Sequence, residues 1–304
     1  MRYITMFFFF CYCSVCFSQY KFPKQEYAQL VLDSKLVVEL LDGESEYNAI
    51  MNSSVKEVFI NNWKHTEVLF LTRSGIDSLR NIHKNGYSFL YQKASKYSER
   101  RFREDNLGRS STYEAFTFSS YRYFLNILIE GKNHFVTSID FGTNNLIETD
   151  HLFLYQQLSL LIQASAEGKK PWHFFKVNRN LEQLKNSTLV MPRFLFKEKD
   201  SSKIEDYYKH DYQLVDFNAY QELILNKETG KSYIKIIWSP QHKLYMWIVV
   251  NASDGAILSI NSFGGLHFSN EQTVKEVIKV KYLKYATSKL AQKVNNRYGW
   301  KLKI

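Results

Sequence analysis

Leu36-Val37-Val38-Glu39-Leu40-Leu41, closed by the turn pair Asp42-Gly43, is an apolar run of strand length. Behind it Tyr47, Ile50, Met51, Val55, Val58 and Phe59 recur at helical spacing and share one face, with Ser45 placed to cap the first turn and Trp63 at the far end. A strand over Glu67–Leu71, a helix over Ser74–Lys84 and a strand over Tyr87–Tyr91 complete a β-α-β-α-β unit. Alternation of this kind predicts an α/β fold, with α+β as the alternative.

The same order returns downstream. Thr188–Phe196 reads as a strand, Ser201-Ser202 precedes a helix to Tyr208, Tyr212–Asp216 is a strand, Ala219–Lys227 a helix and Ser232–Trp238 a strand. Tyr245–Val250 and Ala256–Ile260 then form a hairpin closed by Ala252-Ser253-Asp254-Gly255. Trp63-Lys64-His65 and Tyr208-Lys209-His210 hold the same place, an aromatic at a helix end followed by Lys-His and a strand. The chain therefore reads as two tandem, related mixed-sheet units with helices packed on the sheets. Between them lie a polar stretch, Lys93–Thr112, expected to be a long exposed loop, and strands over Ala115–Phe118, Tyr123–Ile129 and Phe135–Asp140. A strongly apolar helix follows over His151–Ala166, capped by Thr149-Asp150, ended by Gly168 and kept from resuming by Pro171. The expected units run over residues 19–168 and 169–268, with a tail over 269–304.

Met1-Arg2-Tyr3 and the apolar run Ile4 to Phe17 have the layout of a signal peptide, and Cys16-x-Ser18 is a small-x-small cleavage pattern. Residues 1–18 would then be removed, the mature chain would begin at Gln19, and the protein would act in the periplasm or at the cell exterior. The run is too short to span a bilayer, and no transmembrane segment is expected in the mature chain. All three cysteines, Cys11, Cys13 and Cys16, lie in that leader, so neither disulfides nor thiol chemistry are expected afterwards.

The helix-Trp-Lys-His-strand passage ending in Tyr87-Ser88-Phe89-Leu90, and the passage from Met191-Pro192 to Trp238 with Tyr207-Tyr208-Lys209-His210, resemble a family of uncharacterised exported proteins of Bacteroidota-type bacteria. The resemblance rests on hydrophobic-pattern motifs over half the chain. It implies an envelope location and a duplicated α/β architecture, and the family carries no assigned activity.

Motifs for chemistry are missing. The eight histidines show neither H-E-x-x-H nor H-x-H spacing, and no calcium loop is present, so no metal is expected. The only glycine pair, Gly264-Gly265, is not a phosphate cradle, and no nucleotide or other cofactor is expected. No G-x-S-x-G elbow exists. Glu39, Asp140, Asp216 and Glu130 near strand ends are the carboxylates from which a glycosidase pair would have to be drawn, and such residues are common in any sheet. The ligand-binding candidates are the repeated pairs Lys64-His65 and Lys209-His210. A Lys beside a His can meet an anion, whereas the plainer reading sets both against the negative end of a helix. Aromatic residues such as Tyr121, Tyr123, Phe124, Tyr245 and Trp247 suit core packing better than stacking platforms.

Net charge is +10, and the 36 residues from Ser269 carry nine basic against two acidic side chains. Lys275, Lys279, Lys281, Lys284, Lys289, Lys293 and Arg297 form this basic patch. Its apolar residues Val274, Ile278, Leu283, Leu290 and Val294 fall on two opposed sides, so docking on the body, with Trp300 as an end anchor, is expected over a membrane-surface helix. The composite expectation is a non-enzymatic exported protein that binds another envelope protein or a surface polymer. The alternatives are an envelope hydrolase with a dispersed site, and anionic-polymer binding through the tail. Nucleic acid is the least favoured partner.

Overall fold

The computed structural model describes residues 22–104, 110–141, 146–170, 180–239, 244–261 and 278–287. In chain order the first unit contains α1 (Gln25–Leu32), β1 (Lys35–Leu40), α2 (Glu46–Asn62), β2 (Val68–Thr72), α3 (Arg73–Ile82), β3 (Tyr87–Glu104), β4 (Ser110–Ile129), β5 (Lys132–Phe141) and α4 (Glu148–Ala166). The second contains α5 (Leu181–Lys185), β6 (Thr188–Pro192), a 3-10 turn at Arg193–Leu195, α6 (Glu198–Ser201), α7 (Ile204–Tyr207), β7 (Tyr212–Val215), α8 (Phe217–Leu225), β8 (Lys231–Ser239), β9 (Leu244–Asn251) and β10 (Ile257–Asn261). A 3-10 segment, Val280–Tyr285, follows.

Each unit forms a five-stranded mixed sheet, ordered β2-β1-β3-β4-β5 and β10-β9-β8-β6-β7. Three parallel strands lead and two antiparallel ones follow in both, so the topology is the same and the duplication holds at the level of strand order. The registers match residue by residue. Lys35 pairs with Tyr87 and Leu36 with Val68, while Thr188 pairs with Lys231 and Leu189 with Tyr212. Small details recur too. Ser34 and Ser187 each donate to the end of the preceding helix, at Val31 and Leu184. The N–H of Lys35 and of Thr188 donates to Gly86 and Gly230, both in the left-handed region that glycine tolerates.

Of the caps expected from the sequence, Ser45 is found; α4 begins at Glu148, so Thr149 and Asp150 lie inside its first turn, where Asp150 accepts from the Ile147 N–H, and Asp216, read as a strand end, is a further cap. The Ser45 side chain accepts from the Asn48 N–H and starts α2, and Asp216 does the same for α8 through Ala219. Gly168 ends α4 at φ +73°. Of the stretch expected to be a loop, Lys93–Glu104 and Ser110–Thr112 are strand, and residues 105–109 lie outside the described residues. Here β3 continues to Glu104 and β4 starts at Ser110, and the two pair from Lys93–Arg122 out to Glu104–Ser110. Beyond the last β5 partner, Tyr121, this is a two-stranded ribbon. Pairing between backbones needs no apolar alternation, so a polar stretch can be strand without showing the pattern of one.

The two sheets stack front to back. On the first sheet Leu36, Val38, Leu90, Tyr123, Leu125 and Ile139 face the central core with α1, α2 and α4, while Val37, Phe89, Tyr91 and Leu128 face outward under α3. On the second sheet the helix facing the central core is α8, through Tyr220, Leu223 and Ile224, and Val190, Tyr233, Ile237, Ile248 and Val250 point the same way. Leu189, Met191, Ile234, Trp247 and Val249 face the other side, with Leu184 of α5, Ile204 of α7 and Ile278, Val280, Leu283 and Ala286 of the tail. The tail thus lies on the second sheet where α4 lies on the first.

Candidate functional site

Lys64-His65 and Lys209-His210 do occupy equivalent positions, each directly after the residue that ends a helix. Trp63 ends α2 with its N–H on the Phe59 carbonyl, and the Lys64 ammonium donates to Ile60 at 3.5 Å, one of the last carbonyls of that helix. His65 stands edge-on to Trp63 at 5.0 Å and meets Ser159 (3.4 Å) and Gln163 (3.2 Å) of α4. Burial lowers its pKa. His210 repeats the edge contact with Tyr208, at 5.6 Å. Trp63 belongs to the central core and Tyr208 to the outer core beyond the second sheet, so the structure does not bring the two pairs together.

In the tail, Ile278 and Leu283 are buried as expected, and the Ile278 N–H donates to Leu195 at 2.7 Å. Lys279, Lys281 and Lys284 stay exposed. Lys275, Lys289, Lys293, Arg297, Val274, Leu290, Val294, Trp300, Pro171 and the leader lie outside the described residues. The aromatic candidates Tyr121, Tyr123 and Trp247 are core residues. Among the described residues no group of three His, Cys, Asp or Glu is placed to hold a metal ion, and no helix is long and apolar enough to cross a membrane.

The carboxylate candidates have separate duties. Asp216 caps α8, and Glu130 sits at φ 52° in the β4–β5 turn. Glu39 and Asp140 do share a sheet face, but β1 and β5 are three interstrand spacings apart, about 14 Å, too far for a glycosidase pair. Each is buried and each holds one arginine. Arg73 meets Glu39 through Nε (2.6 Å) and Nη2 (3.0 Å), and lies over the Tyr91 ring at 4.5 Å. The Arg122 Nε meets Asp140 at 2.6 Å. Burial raises the pKa of both acids, opposed by the Gln92 N–H and Arg73 at Glu39 and by Arg122 at Asp140.

A second polar cluster runs inward from the C-terminal ends of the same strands, and nothing in the sequence marks it. Gln92 donates from its backbone to the Glu39 carboxylate (2.8 Å) and from its side chain to the Glu39 carbonyl (3.1 Å). Its side-chain carbonyl accepts from the Tyr123 hydroxyl (3.3 Å), whose oxygen lies 3.2 Å from His151 Nε2. His151 Nδ1 in turn is 2.6 Å from the Ser54 hydroxyl. Burial drives the His151 pKa down to about 4, so the ring is neutral at neutral pH. Next to it Asp150 accepts from the Ile147 N–H and pairs with Lys235 of the second sheet, whose ammonium lies over Phe141 and Phe153. These residues come from α2, β3, β4, α4 and β8, with sequence separations that give no local pattern.

No family model, no curated protein and no solved structure matches the chain.

Proposed function

We propose that this is an exported envelope protein, of the kind it resembles in sequence, which works by binding a second envelope protein or a surface polymer rather than by catalysis. The observation that carries the reading is the β3–β4 ribbon. The two hairpins fill the same slot, yet β8 and β9 are 9 and 8 residues long while β3 and β4 are 18 and 20. An insertion confined to one repeat of a duplicated fold is a common way to build a binding surface. A two-stranded ribbon adds little stability of its own. Replacing residues 96–119 by Asn-Gly, joining the register partners Ser95 and Ser120, tests this. Tagged mature protein and the trimmed variant are used to capture partners from the organism's own envelope. Capture that depends on the ribbon, with the melting temperature little changed, supports the reading, and equal capture by both forms removes it.

The hydrolase alternative rests on the Ser54–His151 contact. Labelling by a fluorophosphonate probe that disappears in Ser54→Ala would support it, and absence of labelling counts against it.

A further inference from the structure

Two buried carboxylates on one outward sheet face are not what stability alone would select. Taking a carboxylate out of water costs several kcal/mol, and an apolar pair of similar volume is often as stable as a buried ion pair. The second unit illustrates this, because register places Pro192 in the slot of Glu39, Phe217 in that of Arg73 and Met246 in that of Arg122. The same topology does without these pairs where the equivalent face looks inward, so they belong to the water-facing side of the first unit. What they do supply is orientation. The side chains of Glu39 and Asp140 are 7% and 2% exposed, while those of Arg73 and Arg122 above them are 44% and 39% exposed. Each guanidinium is tied from beneath and presented at the surface.

Lys93 completes the row. It is exposed, it is the register partner of Arg122, and it lies two residues beyond Tyr91, the ring under Arg73, so it shares their face. Arg73 is also the first residue of α3, whose positive end adds to the field. We infer that Arg73, Lys93 and Arg122 form a track for an acidic polysaccharide that carries a carboxylate on successive sugars. The two anchored arginines stand on carboxylates about 14 Å apart, further than one small anion can bridge, which calls for repeated charges. Asp42 acts on Glu39, and Asp77 and Arg80 act on Tyr91, so cations and carboxylates along the row come close to balance. That suits a polymer of low charge density better than polyphosphate or nucleic acid, which demand many uncompensated cations. The track is separate from the ribbon, beginning where the ribbon leaves the sheet.

The test measures binding of defined polyuronate oligomers to the mature full chain at low salt. The double variants Arg122→Gln/Asp140→Asn and Glu39→Gln/Arg73→Gln, neither of which leaves an unpaired buried charge, should each weaken binding about ten-fold while melting near wild type. The triple change of Lys279, Lys281 and Lys284 to Gln should leave affinity within two-fold, and the ribbon-trimmed protein should still bind. The inference is overturned if the wild type does not bind polyuronate, if the track variants bind as it does, or if the tail variant loses binding to the same degree. Tighter binding of polyphosphate, lost in the same variants, would overturn the polysaccharide assignment.

Discussion

Helices α3 and α8 fill the same slot, each joining the second strand of its sheet to the third, and they share almost no chemistry. The α3 sequence Arg-Ser-Gly-Ile-Asp-Ser-Leu-Arg-Asn-Ile buries only Ile76, whereas Phe-Asn-Ala-Tyr-Gln-Glu-Leu-Ile-Leu in α8 buries Tyr220, Leu223 and Ile224. The difference follows from the stacking. Equivalent faces of the two sheets do not meet, so the face that looks to water in the first unit looks into the centre of the molecule in the second. Tyr91, under Arg73, corresponds to Lys235, sealed against Asp150. Low identity between the copies is what such an arrangement requires. It is a head-to-tail contact, like those that build solenoids, with α3 as a polar end cap.

The largest expected effect tests the inward member of that residue pair. Lys235→Met leaves Asp150 buried without its cation and should cost about 4 kcal/mol in denaturant unfolding, while Tyr91→Phe in the outward slot, losing only the hydroxyl contact to Asn133, should cost about 1 kcal/mol. Equal losses would mean that the two faces are not differently solvated. On the far side of the second sheet, Leu283→Ala should cost about 3 kcal/mol, because Leu283 is fully buried in the outer core. A negligible change would show that the tail does not dock.

A pH series probes the central cluster. His151 is held near pKa 4 when folded, against an ordinary 6.5, so between these values the unfolded chain binds a proton that the folded one refuses. The stability linked to this group is complete above pH 6.5 and falls by up to about 3 kcal/mol as pH drops towards 4. Glu39 and Asp140, raised by burial, act in the opposite sense as they protonate, so the quantity to measure is the difference between wild type and His151→Gln. Parallel pH profiles would contradict a buried neutral ring.

The turns between fourth and fifth strands give a smaller contrast. Gly131 and Gly255 both have φ near +78°, but a Cβ on Gly131 meets nothing closer than 3.9 Å, whereas one on Gly255 would lie 2.5 Å from Gln156 Cβ. Gly255→Ala should therefore cost about 2 kcal/mol more than Gly131→Ala in thermal or chemical unfolding. Least of all, changing Lys279, Lys281 and Lys284 to Gln should alter stability by less than about 0.5 kcal/mol.

Those elements whose burial leaves a period in the chain were legible from sequence. Helix α2, from its Ser45 cap to Trp63, β1, the run inside α4 and the Asp254-Gly255 turn all carry a local signal. Helix α1 was missed because its buried residues are only Ala28 and Val31, too few to set a period. The ribbon was missed because its strands hold each other by backbone. Glu39 and Asp140 were noticed as strand-end carboxylates, but their arginines, one leading α3 and one in β4, become visible only once register puts them on one face. The Gln92–Tyr123–His151–Ser54 chain was out of reach for the same reason, since Ser54 and His151 lie 97 residues apart.

Helix α4 belongs to the first unit by connectivity, yet 14 of its 19 residues are buried, because the second unit covers the side that the first leaves open. Synthesis delivers the first unit before the second. During that interval α4 is an apolar rod seated in half a socket, and Leu154, Leu158, Leu161 and Ile162 have only part of their final shelter. The half-made molecule thus shows more adhesive surface than the finished one ever will, and its hazard is one of timing rather than of final stability. A chain that crosses a membrane unfolded and folds only when whole would never pass through that state.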